Sequence, residues 1–361
     1  MRILYVLTSL GVGGAEKQAL ALAERMARRG HSVAILGLMP MLQDEWPAAV
    51  PVVRLGVKKT LLSVIAGLGR ASRFVRAFQP DLIHSHSFHS NLFARSLALL
   101  SPRLAVISTV HNVYEGPWPR MLAYRLTDGL SRSTVAVSHA AAERFVRLKA
   151  IPKNKIRVIA NGFDTTEFAP SSERRGATRS TMAAASAFVW LAAGRPVPAK
   201  DFPNLLQAFC LVRAQFPGAQ LWIAGAAEDR QTAADQITGG PNVRWLGLRR
   251  DMPALMDAAD GFVSASAWEG MPLAVGEAMA MEKPVVATGV GGVRELAGNA
   301  GTIVPAKNPP ALAEAMIAVM RQTPETRVHL GRAARQRVIE EFGIDRAADS
   351  WEALYSSIID G

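Results

Sequence analysis

The sequence lacks most features that mark a disulfide-stabilised or membrane-spanning protein. Cys210 is its only cysteine, which excludes an internal disulfide and a cysteine-built metal site and suits a reducing compartment. No stretch reaches the roughly 18 uninterrupted apolar residues that a membrane-spanning helix needs. Metal-binding pairs of the form Asp-x-Asp are absent as well. We therefore expect a chain without disulfides, membrane spans or a metal cofactor.

What is present is the composition of an ordinary globular protein. Hydrophobic residues make up 49% and charged residues 20% of the chain, proportions typical of soluble domains. A chain of 361 residues exceeds what one hydrophobic core usually fills, so two domains are expected. Met1–Leu7 is short and leads directly into a glycine loop. We interpret it as a buried first strand and not as a signal peptide.

The net charge of +11 is concentrated in the first half of the chain. Residues 1–170 contain 22 lysines and arginines against 10 acidic residues, whereas residues 171–361 contain 19 and 20. A basic surface of this kind suits nucleic acid, an anionic membrane face or an acidic ligand.

Strand-like and helix-like runs alternate through the first half. The helical runs include Ala15–Arg29, for which Gly30 is a fitting C-terminal cap. Such alternation predicts a parallel, doubly wound sheet. The predicted strands are Ile3–Thr8, Ser32–Leu38, Val50–Leu55, Leu82–His86, Ala105–Thr109, Thr134–Val137 and Ile156–Ile159.

A polar, small-residue stretch at 169–187 predicts a connector, after which the alternation resumes. The fold class is therefore α/β, with two doubly wound Rossmann-like domains at 1–170 and 171–343. The second set of strands is Phe188–Ala193, Gln220–Ala224, Val243–Leu246, Phe262–Ser264, Val285–Ala287 and Thr302–Val304. Three final helices are predicted at Pro310–Met320, Glu325–Glu341 and Ile344–Ile358. Because ligands of such sheets bind beyond the carboxyl ends of the strands, we expect an active site in the cleft between the domains.

The glycine loop Gly11–Glu16 joins the first strand to the first helix. Glycine lets the backbone approach a ligand closely, and the helix N–H groups favour an anion. A dinucleotide fingerprint needs glycine where Glu16 stands, and the second strand ends at Leu38–Pro40 without an acidic residue. A nicotinamide dehydrogenase is therefore disfavoured, while a simple tight turn stays open.

Five histidines resemble a metal cluster at first sight. His84 and His86 alternate along a strand and share a face, but a zinc site needs carboxylate or thiolate ligands at suitable spacing. We interpret His84, His86, His89 and His139 as solvated or satisfied within the core. His111 ends a strand at the expected edge of the site, where a ligand contact and a structural role are both open.

Two cations follow the first strand of the second half. Arg195 and Lys200 flank a loop that immediately precedes a helix. Cations that converge on a helix N-terminus favour a phosphate or diphosphate. A glycine turn at 289–292 offers further backbone donors nearby.

The stretch 266–288 contains two glutamates around a predicted helix start. Glu269 lies in a turn before Pro272, and Glu277 lies within the helix. Proline suits the first helical position, and an anion is favoured at a helix N-terminus. Taken singly, Glu269 is most simply a capping carboxylate and Glu277 a solvated side chain.

Together these motifs resemble the retaining glycosyltransferases of the GT-B fold, in particular glycosyltransferase family 4. The resemblance runs through almost the whole chain. It rests on the Gly13–Glu16 loop, the segment 161–164, the Arg195 and Lys200 pair, and the glutamates Glu269 and Glu277. Relatives often have glycine after the lysine where this chain has Asp201, so we expect a local rearrangement there.

The resemblance implies a role for each of these residues. Arg195 and Lys200 bind the donor diphosphate, Glu277 holds the ribose of the nucleotide, and Glu269 lies by the hydroxyls of the donor sugar. His111 lies near the transferred sugar. Other residues that contact donor or acceptor are Gly14 near the phosphate or acceptor, Gly270, Met271 and Leu273 at the sugar and phosphate, and Arg249 in the segment that lines the nucleobase.

The resemblance also implies the reaction and its setting. The sugar is transferred with retention, without a metal, from a UDP-hexose or UDP-N-acetylhexosamine to a glycan acceptor linked to polyprenyl diphosphate. The helix 344–361 packs back on the first domain. The enzyme is expected in the cytoplasm, peripherally at the inner face of the plasma membrane.

Two stretches of the basic half are candidates for membrane contact. Residues 58–76 predict a helix with Leu61, Leu62, Ile65 and Leu68 apolar and arginines on another face. Any helix packed on a sheet has the same pattern. A second candidate is a patch of aromatic, apolar and basic side chains, namely Trp118, Arg120, Met121, Leu122, Tyr124 and Arg125.

Rival functions stay open at this point. A sugar-nucleotide 2-epimerase of the same architecture also binds a nucleotide sugar. Charge alone suggests a nucleic-acid-binding module, yet the chain has no aromatic-basic recognition motif, so we expect no nucleic-acid partner. The donor sugar, the nucleobase and the linkage are not specified by these motifs.

Overall fold

The computed structural model describes residues 1–11, 13–39, 49–101, 104–184, 186–225 and 242–360. Contacts between residues divide the chain into two units. The first comprises Met1–Gly162 and Ile344–Gly361, and the second comprises Phe163–Gly343. The predicted boundary between Pro170 and Ser171 therefore lies slightly beyond the one that the contacts give.

The described part of the first unit is built on a parallel sheet in the order β3-β2-β1-β4-β5-β6-β7. Its central strands are almost entirely buried, as expected where helices cover both sides of a parallel sheet. The strands are β1 Arg2–Leu7, β2 Ser32–Gly37, β3 Val52–Arg54, β4 Leu82–His86, β5 Ala105–Val110, β6 Ser133–Ala136 and β7 Ile156–Val158.

The helices of the first unit connect these strands. They are α1 Gly14–Arg28, α2 Leu61–Phe78, α3 Phe88–Leu100, α4 Trp118–Thr127 and α5 His139–Arg147. The C-terminal helix, Ile344–Ile359, also belongs to this unit. Its side chains Trp351, Leu354 and Tyr355 join the core formed with α1 and β1.

The described part of the second unit repeats the plan, with a parallel sheet in the order β10-β9-β8-β11-β12-β13. Its strands are β8 Val189–Ala193, β9 Gln220–Ala224, β10 Val243–Trp245, β11 Gly261–Ser264, β12 Val285–Thr288 and β13 Thr302–Val304. The predicted α/β class with two doubly wound sheets is thus confirmed.

The described helices of the second unit are numbered α6 to α12. They are α6 Ser172–Thr181, α7 Phe202–Gln215, α8 Met252–Ala258, α9 Leu273–Ala280, α10 Val293–Ala297, α11 Pro309–Arg321 and α12 Pro324–Phe342. The C-terminal helix is α13 in this numbering. None of the described helices combines the length and apolar character that crossing a membrane requires.

Helix α6 lies where the sequence predicted an irregular connector. Its apolar content is too low to signal a packed helix, and none of its residues is buried. It is held by polar contacts instead. Arg174 forms an ion pair with Asp257 on α8, and Arg175 and Arg179 bond to Asp260 at 2.6 and 3.0 Å. A pattern of arginines without an apolar stripe does not reveal such an anchor.

The order of the strands determines where a ligand can bind. In the first unit β1 lies between β2 and β4, so successive strands are added first to one side of β1 and then to the other. In the second unit β8 lies between β9 and β11 in the same way. Such switch points open a crevice at the carboxyl ends of the strands. A binding site is therefore expected in the loops after β1, β4 and β5 of the first sheet, and in those after β8, β11 and β12 of the second.

Two helical glycines of the second unit offer a matched test of packing. A Cβ at Gly276 on α9 would overlap the ring of Phe163, whereas a Cβ at Gly176 on α6 would meet nothing within 4 Å. We expect Gly276→Ala to lower the free energy of unfolding by about 1–3 kcal/mol because it overpacks the core. Gly176→Ala should raise it by up to about 1 kcal/mol through helix propensity. Urea unfolding followed by circular dichroism checks both, and equal midpoints for the two variants would contradict the packing described here.

Candidate functional site

The turn after β11 holds Glu269 in a defined position. The residue as a whole is 7% exposed. One carboxylate oxygen, Oε1, accepts hydrogen bonds from Lys200 Nζ at 2.6 Å and from Ser266 Oγ at 2.7 Å. Within the described part of the chain the other oxygen, Oε2, accepts none. Glu269 is therefore one member of a salt bridge and not merely a helix cap.

Backbone and hydroxyl contacts tie this turn to its neighbours. The hydroxyl of Thr288, at the end of β12, donates to Ser266 O at 2.6 Å. Gly292 N donates to Gly270 O at 2.7 Å, and Ala267 N donates to Ala199 O at 2.8 Å. The loops that follow β8, β11 and β12 are thus cross-linked into one framework. A carboxylate held on such a framework is oriented before any ligand arrives.

The loop after β8 brings Lys200 to Glu269. A Cβ at Gly194 would lie 2.8 Å from Lys200 Cε, so glycine is needed there for the lysine side chain to cross the loop. Asp201 follows with φ 45° and ψ 49°, a left-handed conformation that glycine adopts most readily. The chain therefore keeps the backbone geometry of a glycine at Asp201. Arg195 is exposed, and no described residue accepts a hydrogen bond from its guanidinium.

Helix α9 positions Glu277 in a buried environment. It begins at Leu273 after Pro272, and Glu277 is 7% exposed. The expectation that Glu277 taken alone is solvated is wrong, because the helix is covered on almost every side. Gly270 and Met271 are buried in the preceding turn, while Leu273 is half-buried.

Arg249 lies in the loop after β10 and already has a partner. Its guanidinium bonds to both carboxylate oxygens of Asp251, at 2.8 and 2.5 Å. This pair lowers the pKa of Asp251. The proposed contact of Arg249 with the nucleobase stays a prediction.

In the first unit, Gly14 is the exposed first residue of α1. The nearby acid Glu16 accepts a hydrogen bond from Ser9 Oγ at 2.8 Å, and its carboxylate fills the space that a side chain at residue 13 would need. Glu16, which argued against a dinucleotide fingerprint, thus packs its side chain against the start of the helix.

The histidines divide into a buried and an exposed set. His84 is fully buried, and its ring nitrogens bond to Tyr355 Oη and Thr109 Oγ1, each at 2.7 Å. His86 Nδ1 lies 2.9 Å from His111 Nε2. His89 and His139 are exposed. Among the described residues no group of three or more His, Cys, Asp or Glu side chains is placed to hold a metal ion.

His111 directly follows β5 and lies half-buried at the carboxyl edge of the first sheet. Burial lowers its pKa to about 4, so the imidazole is neutral at physiological pH. The structure brings His111 together with His86, a pairing that the strand pattern did not predict.

Glu115 is a residue to which the sequence gave no role. Its carboxylate accepts hydrogen bonds from His111 N at 2.9 Å and from Tyr124 Oη at 2.6 Å. Burial raises its pKa to about 7 despite these bonds. A carboxylate shortly after His111 in a glycine-containing loop was the available signal. It fixes the loop that follows β5.

The two candidate membrane surfaces differ in their exposure to solvent. On α2, Leu61, Leu62 and Ile65 are 76%, 81% and 56% exposed, so this apolar face is not packed on the sheet. In the second patch Met121 and Tyr124 are buried core residues. The expectation that they belong to a surface patch is wrong. The exposed members there are Trp118 and Arg125.

Two known protein families match the chain, one in each half. The family described as Glycosyltransferase Family 4 matches residues 12–167, and the family described as Glycosyl transferases group 1 matches residues 187–322. Between them they cover most of the chain. The chain belongs to glycosyltransferase family 4. It is therefore a transferase enzyme, as predicted, and both halves of the glycosyltransferase carry candidate site residues.

Curated relatives of the glycosyltransferase point the same way. The UDP-Gal:alpha-D-GlcNAc-diphosphoundecaprenol alpha-1,3-galactosyltransferase of Escherichia coli is 24% identical over 77% of this chain and 76% of its own length. The phosphatidyl-myo-inositol mannosyltransferase of Mycobacterium leprae is 27% identical over 86% of this chain and 84% of its own.

Solved structures confirm the fold of the glycosyltransferase. HepE of Anabaena in complex with UDP-glucose superposes with a TM-score of 0.87 at 20% identity, covering 99% of this chain and 100% of the other. The two-domain Rossmann-like fold, GT-B, is thereby confirmed. The roles assigned to individual site residues stay predictions.

Glu115 makes the stability of the first unit depend on pH. Its pKa is about 7 in the folded chain against an ordinary 4.5. Because folding raises this pKa, the contribution of Glu115 to stability is fully present below about pH 4.5 and is lost as the pH rises through about 7. We expect Glu115→Gln to flatten the fall in unfolding midpoint over that range.

Urea titrations at a series of pH values measure this effect. Glu143→Gln, at an exposed glutamate of α5, is the control and should keep the wild-type profile. Parallel profiles for wild type and Glu115→Gln would show that Glu115 is not the group responsible.

Proposed function

We propose that the chain is a retaining glycosyltransferase that moves a sugar from a UDP-hexose or UDP-N-acetylhexosamine to a hydroxyl of a polyprenyl-diphosphate-linked glycan. The observation that carries the proposal is the pairing of Lys200 with Glu269 at 2.6 Å, with the exposed Arg195 in the same loop as Lys200. A cation and a carboxylate side by side suit a ligand that is anionic at one end and rich in hydroxyls at the other. A nucleotide sugar is such a ligand.

The donor diphosphate takes its counter-charge from the chain itself. Arg195 has no internal partner among the described residues, so its guanidinium is available to bind phosphate oxygens in a bidentate manner. Lys200 shares its charge between Glu269 and the diphosphate. With two side-chain cations at the phosphates, transfer needs no divalent metal in this proposal.

Glu269 binds the sugar and does not attack it. Its Oε1 is occupied by Lys200 and Ser266, which leaves Oε2 to accept a hydrogen bond from a sugar hydroxyl. Two donors on one oxygen, one of them charged, also stabilise the carboxylate and reduce its nucleophilicity. Glu277 and the other predicted contacts of the second unit complete the donor site.

The transfer step then proceeds on one face of the sugar. The bond between the anomeric carbon and the diphosphate oxygen breaks, and the acceptor oxygen bonds to the same face of that carbon. The acceptor proton passes to the departing diphosphate oxygen, so charge and atoms balance. Arg195 and Lys200 stabilise the anion that develops, which is an electrostatic contribution that exists before the reaction begins.

Names of relatives support the donor and acceptor classes. The E. coli relative is named for UDP-Gal and a diphosphoundecaprenol-linked acceptor, and HepE is described in complex with UDP-glucose. For the present chain we infer the same classes, with the basic first unit favouring the anionic lipid-linked acceptor.

Removal of the diphosphate cations tests the donor site. We expect Lys200→Ala, Arg195→Ala and Glu269→Ala each to lower turnover by about a hundredfold or more, because each removes charge or orientation at the leaving group or the sugar. Arg332→Ala, at an exposed arginine of α12, is the control and should keep wild-type turnover. The assay is UDP release from UDP-sugars with a lipid-linked acceptor, after thermal-shift screening of donors. Wild-type turnover in Lys200→Ala would sink the diphosphate assignment.

The same assay separates transfer from epimerisation. UDP released only when an acceptor is present excludes the 2-epimerase alternative. Proton NMR of the product then reads the anomeric configuration, and inversion would overturn the retaining mechanism.

We also propose that the enzyme binds peripherally to an anionic membrane surface through the start of α2. Leu61, Leu62 and Ile65 are exposed there, and the exposed Lys58 and Lys59 precede them directly. Apolar side chains that enter the headgroup region beside lysines that meet anionic lipid form a typical interfacial contact. Such contact suits a lipid-linked acceptor at the inner face of the plasma membrane.

Vesicle flotation tests this surface. We expect Leu61→Gln with Leu62→Gln to reduce binding to vesicles containing phosphatidylglycerol by about tenfold or more, because two leucines lose their burial. Leu211→Gln, at an exposed leucine of α7, should bind as wild type does. Absence of wild-type binding at low salt would count decisively against membrane docking.

A further inference from the structure

A continuous chain of buried polar rings leads to His111. Tyr5 Oη lies 3.1 Å from Tyr355 Oη, which lies 2.7 Å from His84 Nδ1. The ring of His84 lies 4.1 Å from that of His86, and His86 Nδ1 lies 2.9 Å from His111 Nε2. The rings of Tyr5 and His86 are also stacked. The rings of His84 and His86 are therefore held by a neighbouring ring on either side.

The second nitrogen of His86 decides which nitrogen of the pair carries the proton. His86 is 3% exposed, and its Nε2 is buried without a hydrogen-bond partner in the described part of the chain. A buried N–H without an acceptor is rarer than an acceptor without a donor. The proton of His86 therefore belongs on Nδ1, from which it is donated to His111 Nε2.

That assignment fixes the other imidazole. Since His111 accepts at Nε2, its own proton in the neutral ring lies on Nδ1. Among the described residues nothing bonds to His111 Nδ1, and this atom is not one of the buried unpartnered polar atoms. In the half-buried His111 this N–H is therefore left to donate to a ligand.

We propose that His86 is a positioning residue that holds His111 as its Nδ1–H tautomer, so that His111 presents a neutral hydrogen-bond donor to an oxygen of the transferred sugar. The tautomer follows from the geometry alone. Its use in transfer rests on the function proposed above.

Other contacts keep His111 in this state and orientation. Glu115 accepts the backbone N–H of His111, which fixes the end of β5. Thr109, on the same strand, bonds to His84 Nε2 at 2.7 Å. On the far side, Trp351 of α13 packs on His84 at 4.2 Å. The C-terminal helix thereby supports the ring against which His86 rests.

Two substitutions at residue 86 separate the donor from the packing. His86→Phe keeps a ring between Tyr5 and His84 but has no N–H to donate. His86→Asn loses the ring but can place an amide N–H close to the position of Nδ1. If His86 acts only by filling space, the Phe variant should be more active than the Asn variant. If His86 acts as a positioning donor, the Asn variant should be the more active one.

Nitrogen NMR of histidine-labelled enzyme without substrate reads the tautomer directly, with the His111 signals assigned from a His111→Gln variant. We expect protonation of His111 at Nδ1 in wild type and in His86→Asn, and a mixture of tautomers in His86→Phe. Donor kcat/KM should fall about tenfold in His86→Phe and recover most of that loss in His86→Asn.

Protonation of wild-type His111 at Nε2 would overturn the proposal, as would an unchanged tautomer and unchanged kcat/KM in His86→Phe. Should His86→Phe fail to fold, the wild-type spectrum and His86→Asn still decide. If the Nδ1–H tautomer is found and no nucleotide sugar is turned over, the proposed function fails and the tautomer assignment stands.

Discussion

The salt bridge between Lys200 and Glu269 joins residues 69 positions apart in the sequence, at 2.6 Å. It exists because β8 and β11 are neighbouring parallel strands, whose following loops must emerge at the same edge of the sheet. The side chains are 24% and 9% exposed, so removal of either one leaves a charge with little water to stabilise it. The salt bridge depends on the glycine at 194, on the left-handed turn at Asp201, and on the hydrogen bonds that tie the Ser266 turn to neighbouring loops. These separate local features serve one contact.

That contact also explains the chemical character of the site. A free carboxylate beside an anomeric carbon could act as a nucleophile or a base. Here one oxygen of Glu269 is bonded to a cation and a hydroxyl, so the group is suited to accept a hydrogen bond from a hydroxyl. In the proposed reaction the same lysine stabilises the leaving diphosphate. Pre-positioned charge of this kind avoids reorganisation during the reaction, which is why it is commonly the largest electrostatic contribution in transfer enzymes.

The sequence predicted the parts of this arrangement that depend on local pattern. Alternating apolar runs marked almost every strand within a residue or two, because buried parallel strands have few polar residues. Arg195 and Lys200 were found because they lie in the loop after a predicted strand, and Glu269 because it lies in the turn before a predicted helix start. The sequence could not reveal that α6 is a helix, since its arginines are anchored to Asp257 and Asp260 rather than to an apolar core. Nor could it pair Tyr355 with His84, residues 271 positions apart that meet only once the C-terminal helix is packed.

The sequence shows that the first unit has an excess of basic residues, and the structure shows which of them are buried and which are exposed. One cation, Arg95, is buried and bonded to neutral oxygens of Ser108, Tyr124 and Thr127, so it serves the fold. Lys58 and Lys59 are exposed instead, beside apolar side chains that the core does not need. Attraction between such lysines and an anionic surface acts over about a Debye length, roughly 10 Å, and weakens with salt. Leucine insertion acts only at contact and is insensitive to salt. In the membrane contact proposed above, charge therefore governs the approach of this surface, and the exposed leucines govern how long it stays bound.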